Sequence, residues 1–401
     1  MKELEHPHTD RTKLKVKKPS LWILIILISY GSMGAALFTP ALPALMDDFN
    51  IGASVSQLTV MLYLVGYGLG QLIYSPLAKA LGRKPTLTIG VTISIFGAML
   101  CLIAAFVHTF PLLSLARFIS SLGASVGLSL TFLIISDFYH EQHARKITAY
   151  IMLSFAVIPG VAIALGGLFV SYFGWESCFY FLILYGLFTL YLITRLDETG
   201  SGKEKGAAKL QVIVSAYRRD FKNNLLVSCS VMIGMTTAII YIFAATAPII
   251  FIKMMGHSAA LFGLMNLIPA AGYFAGNFVA ARLSHYFAIE TVLKAGIVLM
   301  GIGAALFALL IFSGMRGPLS IFIPVAVIYF GIPLLYSNAA VLATFRVVDK
   351  PNASSIMSFL NISGAVIGLI LIELIHGNPL IVVPLVFLLL VATIFLLFLF
   401  G

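Results

Sequence analysis

Two ionisable side chains, Arg117 and Glu373, lie inside long apolar stretches and are the first candidates for binding or proton chemistry. Arg117 follows Pro111 by six residues, which places it about 9 Å further along a helix. In a membrane, an arginine at that depth costs about 3 kcal/mol unless it is paired or reaches water. It should therefore either bond to backbone carbonyls or snorkel outward, or line a polar cavity where it binds an anion or tunes a proton carrier.

The remaining acids avoid the apolar stretches. Of the fifteen Asp and Glu residues, all except Glu373 lie in tails, in loops or at the ends of apolar segments. Glu373 itself is close to the end of its segment, where a carboxylate reaches outside water, and we favour that interpretation. Because burial makes a carboxylate easier to protonate, Glu373 is also the best acidic candidate for proton coupling.

Uncharged polar and aromatic side chains are more numerous in the apolar segments. Each of them alone is more often a helix–helix hydrogen bond or an interfacial ring than a ligand contact. Together they suit a polar, aromatic cavity. The set comprises Gln57, Gln71, Asn266, Asn277, Asn338, Asn361, Tyr30, Tyr63, Tyr67, Tyr241 and Tyr336.

Motifs of catalysis are missing from the sequence. It contains no HExxH, no His-x4-Asp, no paired acids within the apolar segments, no cysteine–histidine cluster and no P-loop. The three cysteines, Cys101, Cys178 and Cys229, are isolated and are expected to be packing residues. We predict no enzyme, no metal, no cofactor and no use of ATP. The loops are too short for a sensory domain.

Composition predicts an all-α integral membrane protein. The chain is 60% hydrophobic and 10% charged, with a mean hydropathy of +1.05, which is outside the range of soluble domains. Its 401 residues hold about twelve spans of about 20–25 residues. The predicted spans are 21–45, 56–77, 86–107, 111–136, 147–172, 177–195, 224–252, 259–281, 291–313, 318–344, 353–375 and 379–400.

The net charge of +10 reports topology rather than nucleic-acid binding. With both termini in the cytoplasm, 22 of the 25 Lys and Arg residues fall in the arm 1–20 or in inside loops. The exceptions are Lys253 and Arg316 in outside loops and Arg117 within a span. This distribution follows the positive-inside rule and predicts a protein of the bacterial inner membrane.

A polar linker at 196–222, containing GSGKEKGAAK, divides the chain into bundles of six predicted spans at 21–195 and 223–401. The bundles echo each other, because Gly66-Tyr67-x-x-Gly70-Gln71 recurs as Gly272-Tyr273-x-x-Gly276-Asn277. Two parallel six-helix repeats around a site at the membrane midplane are a transporter architecture.

The loop after the second span carries a family resemblance. Leu77, Gly82, Arg83 and Lys84 match the signature G-x-L-x-D-x-x-G-R-R/K, although Ser75 replaces its first glycine and Lys79 its acid. This resembles the major facilitator superfamily, and Gly70-Gln71 with Arg83-Lys84-Pro85 is most similar to the twelve-helix bicyclomycin-resistance type of drug:proton antiporter. Further similar stretches are Thr39 to Pro43, Arg117-Phe118 with Gly123, Asp137 with Arg145, Pro159 with Ala162 and Gly166-Gly167, and Gly174-Trp175.

Three departures from that type affect the predicted mechanism. Ala36 stands where relatives usually place the first-span acid, Ser120-Ser121 replaces Gln-Gly, and Ile163 replaces a proline of the fifth span. A first-span carboxylate is the usual candidate for binding a proton or a cationic drug. Its replacement by Ala36 weakens both assignments.

The resemblance implies three groups of site residues. The substrate cavity is expected to include Arg117, Tyr30, Gln57, Asn266, Tyr336 and Asn361, and proton coupling would use Glu373 or Arg117. The conformational gate is expected to comprise Gly70, Lys79, Gly82, Arg83, Lys84, Asp137, Arg145, Pro159, Gly166 and Gly167. We also expect Lys79 to pair with Asp137, and the GxxxG faces of spans two, eight and eleven to lie between the halves.

The predicted function is secondary active transport by a monomer in the lipid bilayer, with protons considered as the coupling ion. An exporter of small organic compounds, acting by alternating access, is the first interpretation. The alternative is a carrier, in either direction, of an anionic metabolite such as a carboxylate siderophore or organic acid. Arg117 and the missing acid at Ala36 favour that alternative.

Overall fold

The computed structural model describes residues 19–139, 141–199, 221–315, 317–345, 350–375 and 377–400. In these ranges, eleven helical segments are long and apolar enough to cross a membrane, and Val157–Phe173 is a shorter apolar stretch. That stretch belongs to the longer helix Glu141–Phe173. The all-α fold is thereby confirmed, and eleven of the twelve predicted spans have a counterpart among these segments. The arm 1–18 and most of the linker, 200–220, lie outside the described residues.

The first bundle begins with a broken span. Helix α1 (Leu21–Ala36) is followed by a 3-10 turn (Thr39–Ala41) and by α2 (Leu42–Asp48). The other helices of this bundle are α3 (Ala53–Leu81), α4 (Arg83–Phe106), α5 (Phe110–Ala124), α6 (Val126–Phe138), α7 (Glu141–Phe173) and α8 (Ser177–Thr194).

The second bundle begins with α9 (Asn224–Pro248), which continues as a π-helical turn (Ile249–Met254). Its eighth span is divided into two helices at Asn266. The helices that follow α9 are α10 (Ala259–Met265), α11 (Leu267–Leu283), α12 (Ile289–Phe312), α13 (Pro318–Phe345), α14 (Lys350–Leu374) and α15 (Pro379–Phe400).

Apolar side chains cover the outside of the molecule as well as its interior. Phe106 is 92% exposed and Leu309 is 65% exposed, which is expected of helices that face lipid rather than water. Inside, one large core of buried side chains contains residues of both bundles, and a second core lies within the first bundle around Leu27, Leu87 and Val126.

The break in the first span follows from two prolines. Pro40 and Pro43 have no N–H, so the helical bonds that positions 40 and 43 would make are lost. The Thr39 hydroxyl donates to the Ala36 carbonyl at 3.0 Å and replaces the bond that Pro40 cannot make. The carbonyls at the end of α1 are therefore available to side chains of other helices.

The glycine echo has the same structural role in each half. Gly66 and Gly70 lie against the backbone of α5, where Cβ atoms on them would lie 2.5 Å from Phe118 O and 2.6 Å from Leu122 O. Gly272 and Gly276 lie against the backbone of α13 at Ala326 and Phe330. The second and fourth spans of each half thus pack together in the same way.

From the resemblance we expected these glycine faces to lie between the halves, but they lie within each half. The Gly364/Gly368 face likewise packs within its own half, against Gly234 and Ala238 of α9. The predicted gate residue Gly70 is therefore an internal packing residue. The close contacts it makes are with α5 and hold one bundle together.

Other small residues bring the two halves together. Gly167 of α7 lies against the Ala259 carbonyl of α10, and Gly263 lies against Ile163 and Ala164 of α7. On the other side, Gly68 of α3 contacts Ile362 of α14. The predicted pair Gly166-Gly167 is divided in its roles, because Gly166 lies against the Leu37 carbonyl in the break of the first span.

Replacing Gly70 by alanine should destabilise the protein by about 1–3 kcal/mol, because the new methyl group would overlap Ser125 and the Leu122 carbonyl. Gly301→Ala is the matched control, since its nearest neighbour would be 3.8 Å away and alanine exceeds glycine in helix stability by about 0.5–1 kcal/mol. Thermal unfolding of both variants in one detergent measures the difference. Equal midpoints would contradict the close packing of α3 on α5.

Candidate functional site

Arg117 is fully buried on α5, where it caps the end of α1. Its Nη1 donates to the Gly34 carbonyl at 3.1 Å. The guanidinium carbon lies 4.6 Å from the centre of the Phe38 ring and 4.2 Å from that of Tyr63. Cations interact favourably with the carbonyl end of a helix and with aromatic faces. Arg117 thus contacts the broken first span rather than open solvent.

Two of the three nitrogens of Arg117 have no hydrogen-bond partner. Nε and Nη2 are buried without an acceptor among the described residues. Leaving a charged donor unsatisfied costs more than leaving a neutral one. Of the expected arrangements, the structure shows the bond to a backbone carbonyl; Arg117 neither snorkels nor lines an open cavity.

Tyr63 and Tyr67, one helical turn apart on α3, rest on two glycines of α1. The Tyr63 hydroxyl donates to the Gly31 carbonyl at 2.9 Å, and a Cβ on Gly34 would overlap that hydroxyl. The Tyr67 ring fills the space above Gly31. Tyr67 extends the row along α3, and its hydroxyl has no hydrogen-bond partner.

Six tyrosines on packed helices of both halves form a group that we call the tyrosine cluster. Gly68, next to Tyr67, lies against Ile362, next to Asn361, which contacts Tyr336. The Tyr273 ring contacts that of Tyr329, whose hydroxyl donates at 3.4 Å to the carbonyl of Ile240, the residue before Tyr241. The members are Tyr63 and Tyr67 on α3, Tyr241 on α9, Tyr273 on α11, and Tyr329 and Tyr336 on α13.

The tyrosine cluster combines buried and accessible groups. Tyr241, Tyr273 and Tyr336 are only partly buried. Asn361 on α14 donates to the Tyr336 hydroxyl at 3.4 Å, and its own Oδ1 is buried without a partner. The cluster therefore offers aromatic faces together with unused hydrogen-bonding atoms.

The residues predicted for the cavity do not form one site. Tyr336 and Asn361 are brought together, but Tyr30 stacks on Tyr185 at 5.5 Å within the first bundle. Gln57 is buried close to the start of α3, and Asn266 is buried between α10 and α11. The sequence did not fix which face of each helix points inward.

Tyr273 and Tyr329 were not among the predicted site residues. Tyr273 was part of the glycine echo. Tyr329 lies two helical turns before Tyr336, so Tyr329 and Tyr336 belong to one face of α13. The spacing of seven residues between Tyr329 and Tyr336 could have identified Tyr329 from the sequence. Both rings contact each other edge to face at 6.3 Å.

Glu373 is remote from the tyrosine cluster. It lies twelve residues after Asn361 on α14, which is about 18 Å along the helix. Its side chain is partly buried, one residue before the end of that helix. This agrees with the expected position near the end of the span and places it away from the tyrosine cluster.

The turn between α3 and α4, at what we call the basic end, is tied to α6 and α8. Gly82 has φ +103°, a conformation that suits glycine. The N–H groups of Arg83 and Lys84 donate to the Glu198 carboxylate at 2.8 and 3.0 Å. The Arg83 side chain donates to both oxygens of Asp137, at 2.9 and 3.3 Å.

We expected Asp137 to pair with Lys79, but in the structure it pairs with Arg83. It also accepts from the Thr199 hydroxyl at 2.8 Å, whereas Lys79 is exposed. The positive φ of Gly82 turns Arg83 toward α6, and its planar fork fits a carboxylate better than an ammonium does. Lys84 donates to the Thr194 carbonyl at 3.1 Å. The side chain of Arg145 lies outside the described residues.

At the other end, which we call the distal end, polar contacts join the two halves. Lys253 on the π-helical turn pairs with Asp47 of α2. Ser171 of α7 accepts from the Ala260 N–H at 2.8 Å. Within the first half, Trp175 donates to Asp48 at 3.2 Å. The bonds of Lys253 and Ser171, with the Gly167 and Gly263 contacts, join the two halves at the distal end.

The sequence matches a family model described as Major Facilitator Superfamily over residues 21–372. Multidrug resistance protein D of Escherichia coli (strain K12) is 23% identical over 320 residues, which cover 80% of this chain and 79% of that protein. A bicyclomycin resistance protein homolog of Haemophilus influenzae is 23% identical over 283 residues, covering 69% and 70%.

The fold is similar to that of solved transporters. The xylose transporter XylE from E. coli, in a partially occluded inward open conformation, superposes with a TM-score of 0.72. The alignment covers 94% of this chain and 96% of XylE at 12% sequence identity. At that identity the similarity concerns the fold alone.

A double-mutant cycle should detect the pair of Arg83 and Asp137. Because both side chains are partly exposed, Arg83→Gln and Asp137→Asn should couple by only about 1 kcal/mol in thermal or denaturant unfolding. The matched control cycle replaces Lys79→Gln with the same Asp137→Asn and should show no coupling. Coupling to Lys79 of equal size would refute the arrangement described.

Proposed function

This chain belongs to the Major Facilitator Superfamily, and we propose that it exports small organic compounds across the bacterial inner membrane. The observation that carries the proposal is the tyrosine cluster, to which both halves contribute at their interface. The printed names of two relatives, a multidrug resistance protein and a bicyclomycin resistance homolog, support export of such compounds. An enzymatic function has no support in this family.

The proposed mechanism is alternating access between the two bundles. In the described conformation the distal end is closed by Lys253 with Asp47 and by the backbone contacts of Gly167 and Gly263. Opening that end requires these contacts to separate. The network of Arg83, Asp137 and Glu198 lies within the first bundle and would keep it rigid while it rotates.

The proposed orientation places the basic end and both termini in the cytoplasm. The positive-inside distribution of 22 of 25 basic residues supports it. The distal end then faces outside, and the closed contacts there correspond to a state open toward the cytoplasm. Such a state would collect compounds from the cytoplasm or from the inner lipid leaflet. We propose that the monomer, with its two bundles at 21–195 and 223–401, is the functional unit.

Proton coupling is also part of the proposal. Glu373 would be the acid that exchanges protons with the outside, because it lies one residue before the distal end of α14. Arg117 would bias the span that moves, since it bonds to Gly34 at the break. The anionic-metabolite alternative loses its main support, because Arg117 is fully buried and its bond goes to a backbone carbonyl.

Export can be tested with a panel of antibiotics and dyes in a sensitised host. Cells that express the chain should accumulate less of at least one compound than cells with an empty vector, and a protonophore should remove the difference. The expression of each variant is checked by immunoblot of membranes. Equal accumulation across the panel, together with unchanged tolerance, would contradict the proposed function.

Arg117→Gln should abolish export while leaving the protein folded. The neutral amide can still donate to Gly34, but it lacks the charge that interacts with the end of α1 and with the rings of Phe38 and Tyr63. Arg117→Lys keeps the charge and should retain measurable export. Because a buried, partly unpaired charge is removed, the unfolding midpoint of Arg117→Gln should not fall.

Transport rates in proteoliposomes at equal protein density provide the comparison. If Arg117 is only a packing residue, Arg117→Gln will transport like the unmodified protein, and this outcome would end the proposed role. If Arg117→Gln fails to fold, its unfolding midpoint will show it, and Arg117→Lys then decides between charge and packing.

A further inference from the structure

The helices that form the tyrosine cluster carry no acidic side chain near it. The sequences of α3, α9, α11 and α13 contain no Asp or Glu, and the only acid of α14 is Glu373. Transporters that bind lipophilic cations need a negative charge to replace lost hydration, because moving an unpaired ion out of water is costly. The cluster has no such charge to offer.

A positive charge lies directly behind the cluster. The guanidinium carbon of Arg117 is 4.2 Å from the centre of the Tyr63 ring, so it occupies one aromatic face that a cation would otherwise use. Its charge is poorly screened by the apolar surroundings and disfavours a second cation nearby. The same guanidinium has no exposed surface, so an anion in the cluster cannot pair with it directly.

The unused polar atoms of the cluster are neutral. The Tyr67 hydroxyl is buried without a partner and can donate one hydrogen bond, while Asn361 Oδ1 is buried without a partner and can only accept. Tyr336, which contacts Asn361, and the other cluster tyrosines Tyr241 and Tyr273 are only partly buried and add aromatic faces. A ligand that satisfies both atoms needs an acceptor and a donor next to an aromatic ring.

We infer that the tyrosine cluster selects uncharged aromatic compounds that carry hydrogen-bonding groups, and that it rejects lipophilic cations. This inference rests on the proposed function and adds the chemical class of its substrates. Aromatic rings of the ligand stack between tyrosines, and one amide or hydroxyl of the ligand bonds to Tyr67 and Asn361. The arrangement predicts a preference set by charge as well as by size or hydrophobicity.

Three radiolabelled probes test the inference. They share one biphenyl scaffold and end in a carboxamide, a trimethylammonium or a carboxylate. Their binding to the purified full-length protein in detergent is measured by scintillation proximity. The carboxamide should bind at least about tenfold more tightly than either charged probe. A tighter trimethylammonium or carboxylate, or no measurable binding of the carboxamide, would overturn the inference.

Two isosteric variants locate the site. Tyr67→Phe keeps the ring over Gly31 and removes the unpartnered hydroxyl, so carboxamide binding should fall about five- to tenfold. Tyr180→Phe is the matched control, because Tyr180 is 60% exposed on α8 and lies outside the cluster. Equal binding by the two variants would show that the probe occupies another site.

Asn361→Asp tests the role of charge directly. Asn361 donates to the Tyr336 hydroxyl, whereas the new carboxylate would accept from it, and it supplies the acid that the cluster lacks. Binding of the trimethylammonium probe should rise at least about tenfold while that of the carboxamide falls. If this variant binds the cation no better although it unfolds at the normal temperature, the electrostatic basis of the inference is wrong.

The inference and the proposed function fail in different ways. Export of lipophilic cations by cells, together with tighter binding of trimethylammonium, would leave an exporter with another substrate class. Unchanged accumulation of every compound in cells would remove the exporter, even if the carboxamide bound to Tyr67. The binding and accumulation assays are therefore run on the same set of variants.

Discussion

The break in the first span leaves backbone carbonyl groups without their helical hydrogen bonds. The need to satisfy these groups constrains most of the first bundle. In the apolar part of a membrane, each unsatisfied backbone group costs several kcal/mol. Thr39 bonds to Ala36, Arg117 bonds to Gly34, and Cys178 lies 3.7 Å from the Leu37 carbonyl. The break is thus held by side chains of its own span and of α5 and α8, and Gly166 of α7 lies against the same Leu37 carbonyl.

That arrangement links the buried charge to the tyrosine cluster. Arg117 contacts Tyr63, Tyr63 bonds to Gly31, and Tyr67 lies over the same glycine one turn further along α3. Any movement of α1 relative to α3 must therefore change the surroundings of both tyrosines. Through these contacts, a rearrangement of the first span would alter the interface between the halves.

Sequence reasoning predicted the spans well, because a stretch of apolar residues long enough to cross a membrane has few alternatives. It also found the glycine echo, whose close packing depends only on the absence of side chains at Gly66, Gly70, Gly272 and Gly276. It failed where the answer depends on the rotation of a helix about its axis. Tyr30 points into its own bundle, and Asp137 meets Arg83 because the turn at Gly82 has a positive φ.

The contact between α7 and α10 has a kinetic consequence. At Gly167 and Gly263 backbone lies against backbone, so no side chains interlock at these two positions. Interlocked side chains would have to change rotamers together before the helices could part, and such concerted steps raise activation barriers. These positions can part without such steps, so we expect polar bonds such as that of Ser171 with Ala260 to contribute more to the barrier to opening. Bulk added at these glycines would slow the cycle as well as shift its resting position.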